Sequence, residues 1–244
     1  MGLAVRTPNY WMVQVSTVPQ VLLFLSVVDA FDRPDLVGNA LLAPILISMW
    51  GTALWTGGSV MRDDRWGGRL EVHVAAPNPY GVVVVARVSA VVLLSLLAIP
   101  ISIVTAALSY GVSVSVAHPW LLIATFAVTA GAITATGIIF SSMTIISRAA
   151  ITFQSAASYP FLLLGGVFVP LDLLPGWVQP IGRVVFLSWS SALIRDSVSA
   201  APVESALQRL AVIVALGALG LLVGQRLLKV IIDRVRITGE LASL

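Results

Sequence analysis

The stretch Met61–Tyr80, MRDDRWGGRLEVHVAAPNPY, decides how the chain is read. It holds Arg62, Asp63, Asp64, Arg65, Arg69 and Glu71, the one crowded island of charge in the first 170 residues, and long apolar runs flank it on both sides. Ionised groups between two membrane spans stay hydrated only in water, so this segment is a loop and its flanks are spans. Gly67 and Gly68 make it flexible at the start, and Arg69–Ala76 has room for about two helical turns before Pro77 and Pro79 stop the helix. Such a segment is either an ordinary solvated turn or a docking element for a soluble partner.

Composition points the same way. Of 244 residues, 58% are hydrophobic and 10% charged, and the mean hydropathy is +0.99. A soluble domain carries about 25% charged residues. No polar stretch is long enough to fold alone, so residues 1–244 read as a single all-α, polytopic membrane domain. The absence of cysteine excludes disulfides, thiol catalysis and thiolate metal sites. A net charge of +3 with dispersed arginines gives no footprint for nucleic acid.

A helix needs about 20 residues to cross the ~30 Å hydrocarbon core. Six spans are expected, at about 10–28, 36–61, 84–108, 120–143, 149–171 and 210–228. The first is the most polar, with Gln14, Pro19 and Gln20, and lacks a compact small-x-small cleavage site, so it is expected as a retained span and not a signal peptide. Arg87 is expected near the water boundary, because the 36 apolar residues Gly81–Val116 would make ~54 Å of helix, too long for one crossing. The fourth span is rich in Ala, Thr and Gly, and Gly220-x-x-x-Gly224 marks the last; both permit close helix packing. Residues 172–205 contain Pro175, Pro180 and Pro202 around the apolar run Val178–Ile194, which is broken by Gly182 and Arg183. Two short helices dipping into the outer leaflet satisfy both signals.

Six spans put both termini on one face. Those termini, with the second and fourth loops, carry ten Lys and Arg residues, and the opposite face carries four, Arg33, Arg183, Arg195 and Arg209. The positive-inside rule places the termini and Met61–Tyr80 in the cytoplasm.

Missing chemistry narrows the class further. No Asp, Glu or Lys falls in the middle of a span, which argues against a carrier driven by protons or ions. The only histidines, His73 and His118, fall in expected loops, and neither a zinc-protease motif nor a nucleophile elbow occurs. The only lysine, Lys229, sits between Leu228 and Val230, so there is no phosphate-binding loop. If ATP powers this chain, another chain must bind it.

Two stretches then resemble the membrane subunits of ABC-2 type transporters, a permease family that includes drug, lipid and polysaccharide exporters. The family's first cytoplasmic loop has an acidic-basic pair, G-T-L-E, an apolar pair and a proline. Asp64-Arg65, Gly68-Arg69-Leu70-Glu71, Val72, Val74 and Pro77 are similar, with Arg69 where threonine is usual. The second match is longer: Pro160, Gly165-Gly166-Val167-Phe168-Val169-Pro170, Leu174-Pro175-Gly176-Trp177, and Phe186-Leu187-Ser188-Trp189 leading to Arg195, with Phe186 where proline is usual. The family's amino-terminal interfacial helix is shortened, since only nine residues precede Tyr10.

The resemblance implies an ATP-driven exporter of amphipathic or hydrophobic cargo, in the cytoplasmic membrane of a prokaryote. Two permeases, identical or homologous, pair with two ATP-binding subunits. ATP and Mg belong to those subunits, and this chain holds no cofactor or metal and is not itself an enzyme. By the same resemblance, Asp64, Arg65, Gly68, Leu70, Glu71 and Val74, with Arg148 of the fourth loop, contact the ATP-binding subunit as a coupling helix and its surroundings. Gly165, Gly166, Phe168, Pro170, Pro175, Trp177, Trp189 and Arg195 belong to re-entrant helices that cap the outer end of the path. The rivals are a secondary carrier and a scaffold subunit without its own path.

Overall fold

The computed structural model describes residues 8–32, 36–60, 64, 67, 80–111, 116–146 and 149–238. All regular structure among these is helical. Five helices are long and apolar enough to cross a membrane: α1, Tyr10–Ala30 (its first turn beginning at Pro8); α2, Val37–Val60; α3, Tyr80–Tyr110; α4, Pro119–Thr144, continuing to Ile146; and the membrane part of α8, Ala206–Asp233, continuing to Thr238. Between α4 and α8 lie α5 (Ala149–Leu164), α6 (Gln179–Val184) and α7 (Phe186–Val198). Where the sequence predicts a fifth span over 149–171, the helix α5 has 16 residues, about 24 Å.

The polarity of α1 is explained by its periodicity. Tyr10, Gln14, Thr17, Val21 and Leu25 recur every three or four residues and are buried, whereas Trp11, Met12, Val15 and Leu23 face outward. The buried stripe packs on α2 and the second half of α3, where Val21 and Leu25 join Ala40, Leu41 and Ala106 in one apolar cluster.

Two helices depart from regular geometry. In α3, Pro100 has no N–H to give to the Leu96 carbonyl four residues back. The helix tightens there: Leu96 and Leu97 donate to Leu93 and Leu94, and Ile99 donates to Leu96 O at 3.0 Å. In α2, Ala53–Gly57 forms a π-turn. Gln154 of α5 donates to Leu54 O within the π-turn at 2.6 Å, and Thr144 of α4 donates to Gly58 O just after it at 3.2 Å, so neighbouring helices supply donors along this end of α2.

Small residues set the tightest packing. A β-carbon at Gly217 would lie 3.0 Å from that of Ala132, and one at Gly224 3.1 Å from Ile138 Cγ2. Together with Gly220 over Ala135, they seat α8 against α4 backbone to backbone. The main core lies where α2, α4 and α7 meet, around Trp50, Met49, Ile133, Leu187, Leu193 and Ile194. Trp50 stacks on Phe161 at 5.0 Å and donates to Ser158 Oγ at 2.9 Å, which ties α5 to α2.

Candidate functional site

Two polar assemblies lie at opposite ends of the bundle. The first begins at the Gly-Gly pair after α5. Val167 N–H bonds to Leu162 O and Gly166 N–H to Leu163 O, and Gly166 adopts φ +64°, so the pair closes the helix in a Schellman cap. This stops α5 well before residue 171. A reversed chain leaves carbonyls facing the core, and α7 collects them. Ser191 Oγ donates to Gly165 O at 2.7 Å and Arg195 Nη1 to Gly166 O at 2.7 Å. Burial pulls the Arg195 guanidinium below its ordinary value, while the nearby Asp196 and Asp172 carboxylates act to hold it up.

Close approach fixes the same region sterically. A β-carbon at Gly165 would sit 2.7–2.9 Å from three atoms of buried Leu187. At Gly182 of α6 it would strike the Leu171 side chain and lie 2.9 Å from Leu164 O. Thus α6 and α7 are clamped over the end of α5 as one cap. Thr129 donates to Ser190 Oγ at 2.9 Å and joins that cap to α4. Trp189 is half-buried and donates to Arg183 O at 2.8 Å. Phe168 is exposed at its edge and stacks on Phe24 of α1. Pro170 is half-buried, and Pro175 and Trp177 are exposed beyond it, Trp177 at 76%. The structure therefore brings Gly165, Gly166 and Arg195 into direct contact, and leaves Pro175 and Trp177 at the rim.

The second assembly is at the start of α3. Asp64 is 1% exposed and accepts from Arg87 Nη1 through both carboxylate oxygens, at 2.8 and 2.6 Å. The Tyr80 hydroxyl donates to its Oδ2 at 3.0 Å. Arg65, Gly68, Leu70, Glu71, Val74 and Arg148 lie outside the described residues. Sequence reasoning missed the partnership of Arg87 and Tyr80 with Asp64, and that of Ser191 with the glycine carbonyls. An acid in the charged loop and an arginine two turns into the span that follows were the available signal for the first. Nothing in the spacing announced the second. Among the described residues no group of acidic, His or Cys side chains is arranged to hold a metal.

Among the described residues, neither assembly gathers a metal ligand set. Both instead fasten helices: one closes the carboxyl end of α5, the other ties Asp64 to the start of α3. No curated protein matches the chain. The family model described as ABC-2 type transporter matches residues 3–198, which takes in both assemblies and all the helices before α8. On that match, over most of its length, the chain belongs to the ABC-2 type transporter family.

Proposed function

We propose that this protein is the permease subunit of an ATP-driven exporter, working as a pair of permeases with two separate ATP-binding subunits. The observation that carries the reading is the family match over residues 3–198. It is supported by the multi-span helical bundle and by a sequence without a phosphate-binding loop. Nucleotide binding at the partner subunits shifts Met61–Tyr80 and biases the bundle between inward- and outward-open states. Arg65, Gly68, Leu70, Glu71, Val74 and Arg148 form the receiving surface in this scheme, with the Asp64 expected among them buried at its base. The cap from Gly165 to Arg195 closes the outer end of the path.

In this reading α5 is the fifth of six crossings. Its 16 residues are completed toward the outer face by the Gly165–Pro170 turn, and α6 and α7 are re-entrant. Cargo is amphipathic or hydrophobic, because the spans offer no midplane charge to bind a small ion. A secondary carrier lacks its coupling group for the same reason.

Orientation is open to a direct check, since the chain has no native cysteine. Ala76→Cys is expected to be shielded from an impermeant thiol reagent in intact cells, and Ser199→Cys to react. The reverse pattern would remove Met61–Tyr80 from the compartment that holds ATP, and the function proposed here would go with it.

A further inference from the structure

We propose that Asp64 is a positioning residue that latches the base of the Met61–Tyr80 loop to α3, so that a displacement of the loop enters the membrane at Arg87. This rests on the docking function proposed above, and it names the groups that carry the movement inward.

The geometry at the loop base is the first reason. Asp64 and Tyr80 flank the 15 residues 65–79, and the 3.0 Å bond from the Tyr80 hydroxyl to Asp64 Oδ2 joins those two flanking residues. Arg87, seven residues further on and about 10 Å along the helix, binds the same carboxylate. One carboxylate therefore joins the way into the loop, the way out of it, and the second turn of α3.

Burial is the second reason. The Asp64 side chain is 1% exposed and that of Arg87 37%. A carboxylate desolvated to that degree depends on charge-assisted hydrogen bonds, and separating it from its guanidinium is strongly unfavourable. The loop base and α3 thus move together before they separate.

The third reason is what lies beside Arg87. Val88 is fully buried and wedged between two helices at glycines. A β-carbon at Gly57, in the π-turn of α2, would lie 3.3 Å from Val88 Cγ1, and one at Gly137 of α4 would lie 2.9 Å from it. At this level α3 cannot shift without disturbing α2 and α4, because close-packed side chains do not compress. The π-turn is the one place in α2 where the helix already departs from α-geometry, and so the place where it yields most readily.

The test uses the assembly of the full chain with its ATP-binding partner. Ser199→Cys, exposed at the end of α7, reports the outer end by its rate of reaction with a water-soluble maleimide, with and without trapping by ATP and vanadate. In the Ser199→Cys parent, trapping is expected to change that rate. Arg87→Gln should shrink the change at least fivefold, with membrane level and bound partner within twofold of the parent. Tyr80→Phe should shrink it less, and Arg87→Lys should restore most of it. A full nucleotide-dependent change in both Arg87→Gln and Tyr80→Phe would show that the contact is a passive pin, and would overturn the proposal. Loss of partner binding in the same variants would assign the contact to docking alone, and overturns it equally. If the parent itself binds no ATP-binding subunit, the docking function fails and the latch with it. If Arg87→Gln does not reach the membrane, Tyr80→Phe, which removes a single hydroxyl, decides the matter.

Discussion

Replacing Leu70 and Val74 together with aspartate is expected to weaken binding of the ATP-binding subunit by one to several orders of magnitude. The two residues are four apart in a segment, Arg69–Ala76, with the composition of a short helix, so they share one face with Glu71 beside them. Seating that face in a partner buries one or two aliphatic side chains, at ~1.5–3 kcal/mol for each one fully buried. At roughly 1.4 kcal/mol per tenfold, a carboxylate in place of each removes at least a decade of affinity. No span is altered, so insertion should be unaffected. Glu71→Gln should act more mildly, through a charged contact at the rim. Co-purification of the partner, set against membrane level of the permease, reads both variants. Full binding by a correctly inserted double variant would reduce Met61–Tyr80 to a solvated turn.

The second large effect is expected at the cap over the end of α5. Gly165→Val places a β-carbon, and beyond it two methyl groups, where Leu187 already lies at 2.7–2.9 Å. Leu187, on α7, is fully buried in the main core, where close-packed neighbours resist its retreat. Overpacking of this kind destabilises by ~1–3 kcal/mol. Here it also levers the Gly165 and Gly166 carbonyls away from Ser191 and Arg195, each lost bond adding about 0.5–3 kcal/mol. Thermal denaturation of the detergent-solubilised protein should fall clearly below the parent, and Leu187→Ala in the same chain should recover part of the loss by vacating the space. A variant that melts like the parent, or a pair no better than Gly165→Val alone, would contradict the clamped cap.

Much of the bundle was legible because a lipid-exposed span must be apolar along its whole length, and hydropathy reports that one property. Gly220 and Gly224 were legible for a similar reason: small residues at i and i+4 have few uses in a span other than close packing. The early stop of α5 was not. Gly165-Gly166 reads equally as a flexible stretch of span or as a cap, and only the left-handed φ of Gly166 and the carbonyl bonds from α7 decide it. That two short helices fill the Pro- and Gly-broken run was legible, but the deep burial of α7 was not. This helix buries Ser188, Ser190, Ser191 and Ser197, which lower its hydropathy, yet their hydroxyls bond to carbonyls of the same helix or to neighbours, so they are at home in the core.

At the loop the charges were legible and their pairing was not. Asp64 and Arg87 are separated by 23 positions, and snorkelling to water explains an arginine near a span end as well as an ion pair does. The polarity of α1 shows the same limit. Gln14 made the first span read as the most polar of the set, whereas its spacing with Tyr10, Thr17, Val21 and Leu25 puts it on a buried face.

The mass of the intact assembly, released from the membrane in mild detergent and measured with and without collisional dissociation, tests the permease function most directly. Two permeases, two copies of an ATP-binding subunit, and ATP hydrolysis that vanishes when the permease is isolated are the expected result. A permease that runs as a complete particle without any nucleotide-binding chain, or that hydrolyses ATP when purified free of other proteins, would contradict it.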